Sequence, residues 1–289
     1  MARGTASAQL RPRASARLNC MVVEFVAGIA VNSLALISDA AHMATDVIGL
    51  GMALAAITLA KRPATLQRTY GLYRLEVLAA LANGALLFGV AGYVIVEAIQ
   101  RFSEPPDVPG VPLLVVSTIG LLINIVSFRL LMAGSRESLN IRGAYLEVLA
   151  DLLGSVGVIA AAVVLLTTGW AYADPIVGVA IGLFILPRTW RLSRQALRIL
   201  LEVAPPHIDL GELRAAILSV DGVVDIHDLH VWTVTSGLEA ASGHIVVSPE
   251  HDYHGVLDEI LIVLRDDYSI DHPTIQCEPM AFDEAPRAV

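Results

Sequence analysis

The run Leu36–Ala60 is almost unbroken in apolar side chains, yet it carries Asp39, His42 and Asp46 within the stretch SDAAHMATD. A run of that length crosses a bilayer as one α-helix and is too long for a strand. His42 and Asp46 are four residues apart, so a helix stacks them on one face. About a hundred residues on, the spacing returns as Glu147-Val148-Leu149-Ala150-Asp151, again inside an apolar segment. An ionised carboxylate near the bilayer centre costs roughly 2.5–3.5 kcal/mol, so three of them with a histidine cost on the order of 10 kcal/mol unless something offsets the charge. One imidazole and three carboxylates from two helices form a ligand set suited to a tetrahedral divalent cation such as Zn2+. A helix-packing hydrogen bond explains any one of these acids. Two such pairs, each mid-span and without basic neighbours in sequence, favour the metal.

The remainder of the chain fits a polytopic membrane protein: 55% of its 289 residues are hydrophobic and 16% are charged. Six apolar segments are expected, at Leu18–Ile37, Leu36–Ala60, Leu75–Ile99, Val111–Met132, Ala144–Thr167 and Pro175–Trp190. The first two are divided by Asn32-Ser33, which leaves the first short, with Arg17 at its start. The opening MARGTASAQLRPRASAR is basic and has no apolar core before Leu18, so no cleavable signal peptide is read there. Two cysteines, Cys20 and Cys277, imply no disulfide framework.

Fifteen of the 19 Lys and Arg residues fall on one side of these segments, in the N-terminal arm, at 61–74, at 129–142 and at 188–198. The other side holds Arg101 with Glu104, Asp107 and Asp174. By the positive-inside rule both termini are cytoplasmic; the expected location is a plasma membrane of bacterial type. Set between spans, the basic clusters are topological signals rather than nucleic-acid patches.

After Pro205-Pro206 the texture changes. A helix at Leu210–Val220, strands at Val223–Val234 and around His244–Val247, a helix at Tyr253–Arg265 and a strand near Thr274–Glu278 give the order αββαβ. The expected fold is an α-helical membrane protein with six transmembrane helices plus a small cytosolic α+β domain of ferredoxin-like type. The expected divisions are a basic arm at 1–17, a transport domain at 18–204, a cytosolic domain at 205–284 and a tail at 285–289.

The stretches SLALISDAAHMATD, RTYGLYRLEVLAALANG, NIRGAYLEVLADLLGSVGVI and VVDIHDLHVWTVTSG together resemble the cation diffusion facilitator family, in its zinc-efflux branch. The resemblance covers about Met21 to Glu278. It implies a homodimeric transporter, not an enzyme, that exchanges cytoplasmic Zn2+ for outside protons and carries a metal-binding cytosolic domain. The transport site it implies is His42, Asp46, Glu147 and Asp151. The family pattern has histidine where Glu147 stands, and a harder carboxylate there leans toward Cd2+, Co2+ or Mn2+ tolerance with zinc still first. Relatives also carry more apolar residues before MVVEF. In the cytosolic domain, His227 and His244 match zinc-binding positions and His254 a bridging one. Gln276 and Glu278 replace the family's His and Asp, with Cys277 available beside them. Partners are therefore divalent metal ions, protons, membrane lipid and a second copy of the chain, with no organic cofactor and no nucleic acid.

Other residues are open to two readings. Asp39 adds a second bond to the site or caps a helix. Glu24, Asn83, Glu97 and Asn124 serve helix packing or line the path, and Gly84, Gly89, Gly92, Gly154 and Gly157 permit close helix approach. On a regular strand His227 and His230 point to opposite faces. An intramembrane metalloprotease would need HExxH, and a nucleotide enzyme GxxxxGK[ST]; the chain has neither. A membrane metal sensor or channel is the remaining rival.

Overall fold

A computed structural model describes the backbone of residues 22–132 and 139–280, and their side chains except at 127, 130–132 and 139–148. The basic arm 1–17, the first residues of the opening apolar segment, the side chain of Glu147 and the tail 285–289 lie outside the described residues. Helix α1 covers residues 22–30. It is followed by α2 (Leu34–Ala60), α3 (Arg74–Ser103), α4 (Gly110–Met132), α5 (Leu139–Thr168) and α6 (Ala173–Leu200). Among the described residues, four stretches are long and apolar enough to cross a membrane: Leu34–Ala60, Arg74–Ser103, Leu149–Thr168 and Ala173–Leu200. Gly110–Val126 is a shorter apolar helix. Large apolar side chains such as Leu50, Leu54, Leu122 and Phe184 face outward, as expected where the solvent is lipid.

The break between α1 and α2 is sharp for a local reason. Asn32 takes the left-handed conformation at φ 54°, and Asn tolerates that region better than most residues. Gly28 lets the returning chain close in, since a Cβ there would stand 3.0 Å from Ile37 Cγ1. Helix α6 continues beyond the apolar segment that ends at Trp190 as far as Leu200, with Pro187 inside it. The fall in hydropathy marked where the apolar stretch ends, whereas the helix continues through Arg188, Arg191, Arg194 and Arg198.

The chain forms two compact units, Met1–Leu54 with Ala82–Ser193, and Ala55–Leu81 with Arg194–Val289. Among the described residues the first holds helices and no strand. Its core joins Ala35 and Leu36 of α2 to Leu113 of α4 and to Val158 and Ala162 of α5. Small residues at these crossings allow the close approach that packing in lipid requires. Asn124 Nδ2 donates to Ser155 Oγ at 3.1 Å, tying α4 to α5. Of the glycines expected to open such crossings, Gly84 meets Ser193 and Gly154 meets Asp39, while Gly89 and Gly92 face open space.

In the second unit, α7 (Leu210–Leu218), β1 (Val223–Thr235), β2 (Leu238–Val247), α8 (Tyr253–Ile262) and β3 (His272–Pro279) give the expected αββαβ order, with a π-helical turn at Val263–Asp267 after α8. Asp209 and Asp252 cap α7 and α8 by accepting from backbone N–H groups of their first turns. The sheet order is β1-β2-β3, with β1 and β2 antiparallel and β2 and β3 parallel. Both helices pack on one face of it, Leu213, Ile217, Val256 and Ile260 meeting Ile226, Val231, Ala241 and Ile245.

Candidate metal centres

Helix α2 places His42 and Asp46 one turn apart, with His42 Nε2 3.7 Å from Asp46 Oδ2. Helix α5 brings Asp151 to the same ring nitrogen, its Oδ1 lying 3.9 Å from His42 Nε2. Asp151 is 1% exposed and His42 is also buried. Ligand atoms about 2.0–2.1 Å from a tetrahedral ion lie about 3.3 Å from one another, so these separations need contract by only about half an ångström. Glu147 occupies the turn of α5 before Asp151, with its side chain outside the described residues. Two hydrogen bonds steady this part of the bundle: Ser155 Oγ donates to the Asp151 carbonyl at 3.1 Å, and Thr45 Oγ1 to the His42 carbonyl at 2.7 Å.

Asp39 is buried well inside α2, with its Oδ1 in the space a Cβ at Gly154 would need, at 2.9 Å. It is not a helix cap. The start of α2 is capped by Ser33, whose Oγ accepts from the Leu36 N–H at 3.2 Å, together with an acid from another helix. Asp174, in the first turn of α6, accepts from the Leu34 N–H at 2.6 Å, from the Ala35 N–H at 3.4 Å and from the Ser33 hydroxyl. Arg101 closes the cluster, with Nη1 3.8 Å from Asp174 Oδ2 and Nε donating to Glu97 at 3.0 Å. It also donates to the carbonyl and the side chain of Asn32 at 2.6 and 2.8 Å. Glu97 is thereby an ion-pair partner rather than a path residue. The available signal was a lone acid opening an apolar segment, opposite a Ser-Leu helix start.

The second group lies on the sheet face turned away from α7 and α8. His227 pairs with His244 across β1 and β2, their ring centroids 5.1 Å apart. Glu278 on β3 reaches both imidazoles, with Oε2 3.2 Å from His227 Nε2 and Oε1 2.7 Å from His244 Nδ1. One ligand atom from each residue fits within a 4.8 Å spread. Glu278 is buried, and Gln276 Nε2 orients it by donating to Oε1 at 2.7 Å. A buried carboxylate set between two half-buried imidazoles is donor chemistry that fits a divalent cation.

Within one chain His254 stands apart from His227, His244 and Glu278, exposed at the start of α8, which packs on the opposite face of the sheet. Two other expectations change here. Cys277 lies on the other face of β3 from Glu278, partly buried against the core, where burial pushes the thiol's pKa up. His227 and His230 share a face. A bulge between them, with Asp228 at φ 50°, restores the alternation: His227 opposes His244 and His230 opposes Ser242, two residues apart on β2.

Residues 14–201 match the family model described as the cation efflux transmembrane domain. Residues 205–280 match that of the cation efflux protein cytoplasmic domain. The chain belongs to the cation efflux family. Among curated relatives, the metal cation efflux system protein CzcD of Cupriavidus metallidurans is 48% identical over 272 residues, 93% of this chain and 85% of that protein. The zinc transporter ZitB of Escherichia coli is 43% identical over 260 residues, 89% of this chain and 83% of its own. A cadmium, cobalt and zinc/H(+)-K(+) antiporter of Bacillus subtilis is 41% identical over 268 residues, 91% and 86% of the two chains. A solved metal-bound C-terminal domain of a CzcD transporter is 39% identical and covers 25% of this chain and 99% of its own, at a TM-score of 0.24. In this cation efflux protein, His42, Asp46 and Asp151 fall in the family's transmembrane part, and His227, His244 and Glu278 in its cytoplasmic part.

Proposed function

We propose that this chain exports divalent cations, zinc first, from the cytoplasm in exchange for protons, through a site made by His42, Asp46, Glu147 and Asp151. The observation that carries the reading is the convergence of His42, Asp46 and Asp151 from two apolar helices. The printed names of the relatives, zinc transporter and cadmium, cobalt and zinc antiporter, support the same reading. Metal binding needs neutral imidazole and ionised carboxylates, so Zn2+ and protons compete for the same lone pairs. Protons arriving from outside displace the metal there and reset the site for the cytoplasmic side. Coupling then needs no separate proton path.

Both termini lie in the cytoplasm, the transport domain spans 18–204 and the cytosolic domain 205–284, and the chain works as a homodimer. His227, His244 and Glu278 hold a second, non-transported zinc. In the full chain, Glu278→Gln is expected to weaken zinc binding at that site by on the order of 100-fold. Equilibrium dialysis then reads one zinc fewer per chain than in the wild type. An unchanged zinc count would remove Glu278 from the ligand set.

The function itself is tested by zinc uptake into inside-out vesicles under an imposed pH gradient. Zinc accumulation that collapses with the gradient, together with proton counterflow, is the expected result. Flux indifferent to the gradient would mean a channel. Flux of cadmium or manganese without zinc would keep the mechanism and place the selectivity on Glu147.

A further inference from the structure

The second unit contains a cleft of about 930 Å3 lined by the end of α2, the α2–α3 loop, the β1–β2 turn and the first residue of β3. Lys61 and Arg62 line it, at the first two positions beyond Ala60, the last residue of a 27-residue apolar helix. Among the described residues neither side chain forms an ion pair. Glu76, the one carboxylate in the lining, accepts from Thr235 Oγ1 at 3.1 Å, and Arg74 pairs with Glu202 at 2.5 Å. His272 stands edge-on to Tyr70, with ring centroids 5.6 Å apart. The cleft carries two cations against one carboxylate, with the hydroxyls of Thr69, Tyr70 and Tyr73 and an apolar wall at Ile57 and Leu238.

These groups specify a ligand. Its charged part must be anionic and rich in acceptors, which excludes a metal ion and fits a phosphate. Its remainder must tolerate an apolar wall that continues a membrane-spanning helix. A basic recess at the end of such a helix is where headgroups of anionic lipids concentrate. We propose that this cleft binds the phosphate headgroup of an anionic membrane phospholipid. The phosphodiester sits between Lys61 and Arg62, within reach of the tyrosine hydroxyls, with the glycerol end along Ile57.

The test uses the full chain in uncharged detergent, with lipid binding followed by native mass spectrometry. The probes are short-chain phosphatidylglycerol, short-chain phosphatidylcholine and inorganic phosphate. Phosphatidylglycerol is expected to bind in preference to phosphatidylcholine. Lys61→Gln with Arg62→Gln should weaken that binding roughly 30-fold, at about fivefold for each cation removed. The charge-preserving pair Lys61→Arg with Arg62→Lys should retain it, which separates lost charge from lost folding. Arg191→Gln, an exposed cation on α6 outside the cleft, should leave binding within twofold. Equal loss in Arg191→Gln, or no loss in the Lys61/Arg62 double variant, would overturn the site. Inorganic phosphate binding as tightly as phosphatidylglycerol would overturn the lipid as its source.

Discussion

Asp151→Asn is expected to leave the chain folded and to abolish zinc uptake driven by a pH gradient. The substitution keeps the volume and one acceptor oxygen while removing the charge that a buried divalent cation needs. Loss of outer hydrogen-bond partners alone costs metal sites 10–100-fold, so loss of a direct carboxylate ligand should lower the initial uptake rate in proteoliposomes at least about 100-fold. The competing reading, in which Asp151 only packs helices, makes a different prediction. An amide replaces a carboxylate well in a packing hydrogen bond, and the backbone bond from Ser155 to the Asp151 carbonyl does not involve the side chain at all. An uptake rate within threefold of wild type, with a monodisperse protein on size exclusion, would remove Asp151 from the site.

Asp174→Ala is expected to have the largest effect on stability. Asp174 is 1% exposed and closes three hydrogen bonds at the start of α2 while facing Arg101. Removing it takes one of two anions from the buried Arg101 guanidinium, which keeps Glu97 at 3.0 Å, so the cost falls below the roughly 3–5 kcal/mol of a buried charge left wholly unpaired. It also takes from α2 the acceptor of the Leu34 and Ala35 N–H groups, typically worth about 1 kcal/mol, while Ser33 Oγ still accepts from Leu36 N–H. Thermal unfolding in detergent should show a lowered midpoint, with Asp174→Asn falling between wild type and alanine because the amide oxygen still accepts. Equal midpoints for wild type and Asp174→Ala would mean that the cluster holds nothing together. Because α2 also carries His42 and Asp46, zinc binding by Asp174→Ala should be measured alongside.

Several features of this molecule are written locally and were legible in the chain. Apolar runs, interrupted at Asn32-Ser33 and closed by Lys61-Arg62, mark helices because the bilayer leaves the backbone no other partner. The spacing of four between His42 and Asp46 fixes a shared helix face regardless of what surrounds it. Gly222 and Gly237, both at positive φ, punctuate the C-terminal domain as Asp-Gly and Ser-Gly pairs do in general. The αββαβ order followed from that punctuation.

What sequence could not supply is which distant group meets which. Asp174 looks like a loop acid until α6 packs beside α2 and turns its carboxylate onto the open N–H groups at that helix start. Strand alternation predicted opposite faces for His227 and His230. One inserted residue at the bulge reversed that, and a bulge depends on cross-strand pairing rather than on local preference. His254, a bridging position by resemblance, stands on α8, across the sheet from His227, His244 and Glu278 of the same chain. Periodicity is a property of a single element, so the sequence alone determined the helices, the strands and, away from the β1 bulge, their faces. Contact is a property of two elements, so only the tertiary structure decided that Glu278 reaches both imidazoles and that Arg101 reaches Asp174.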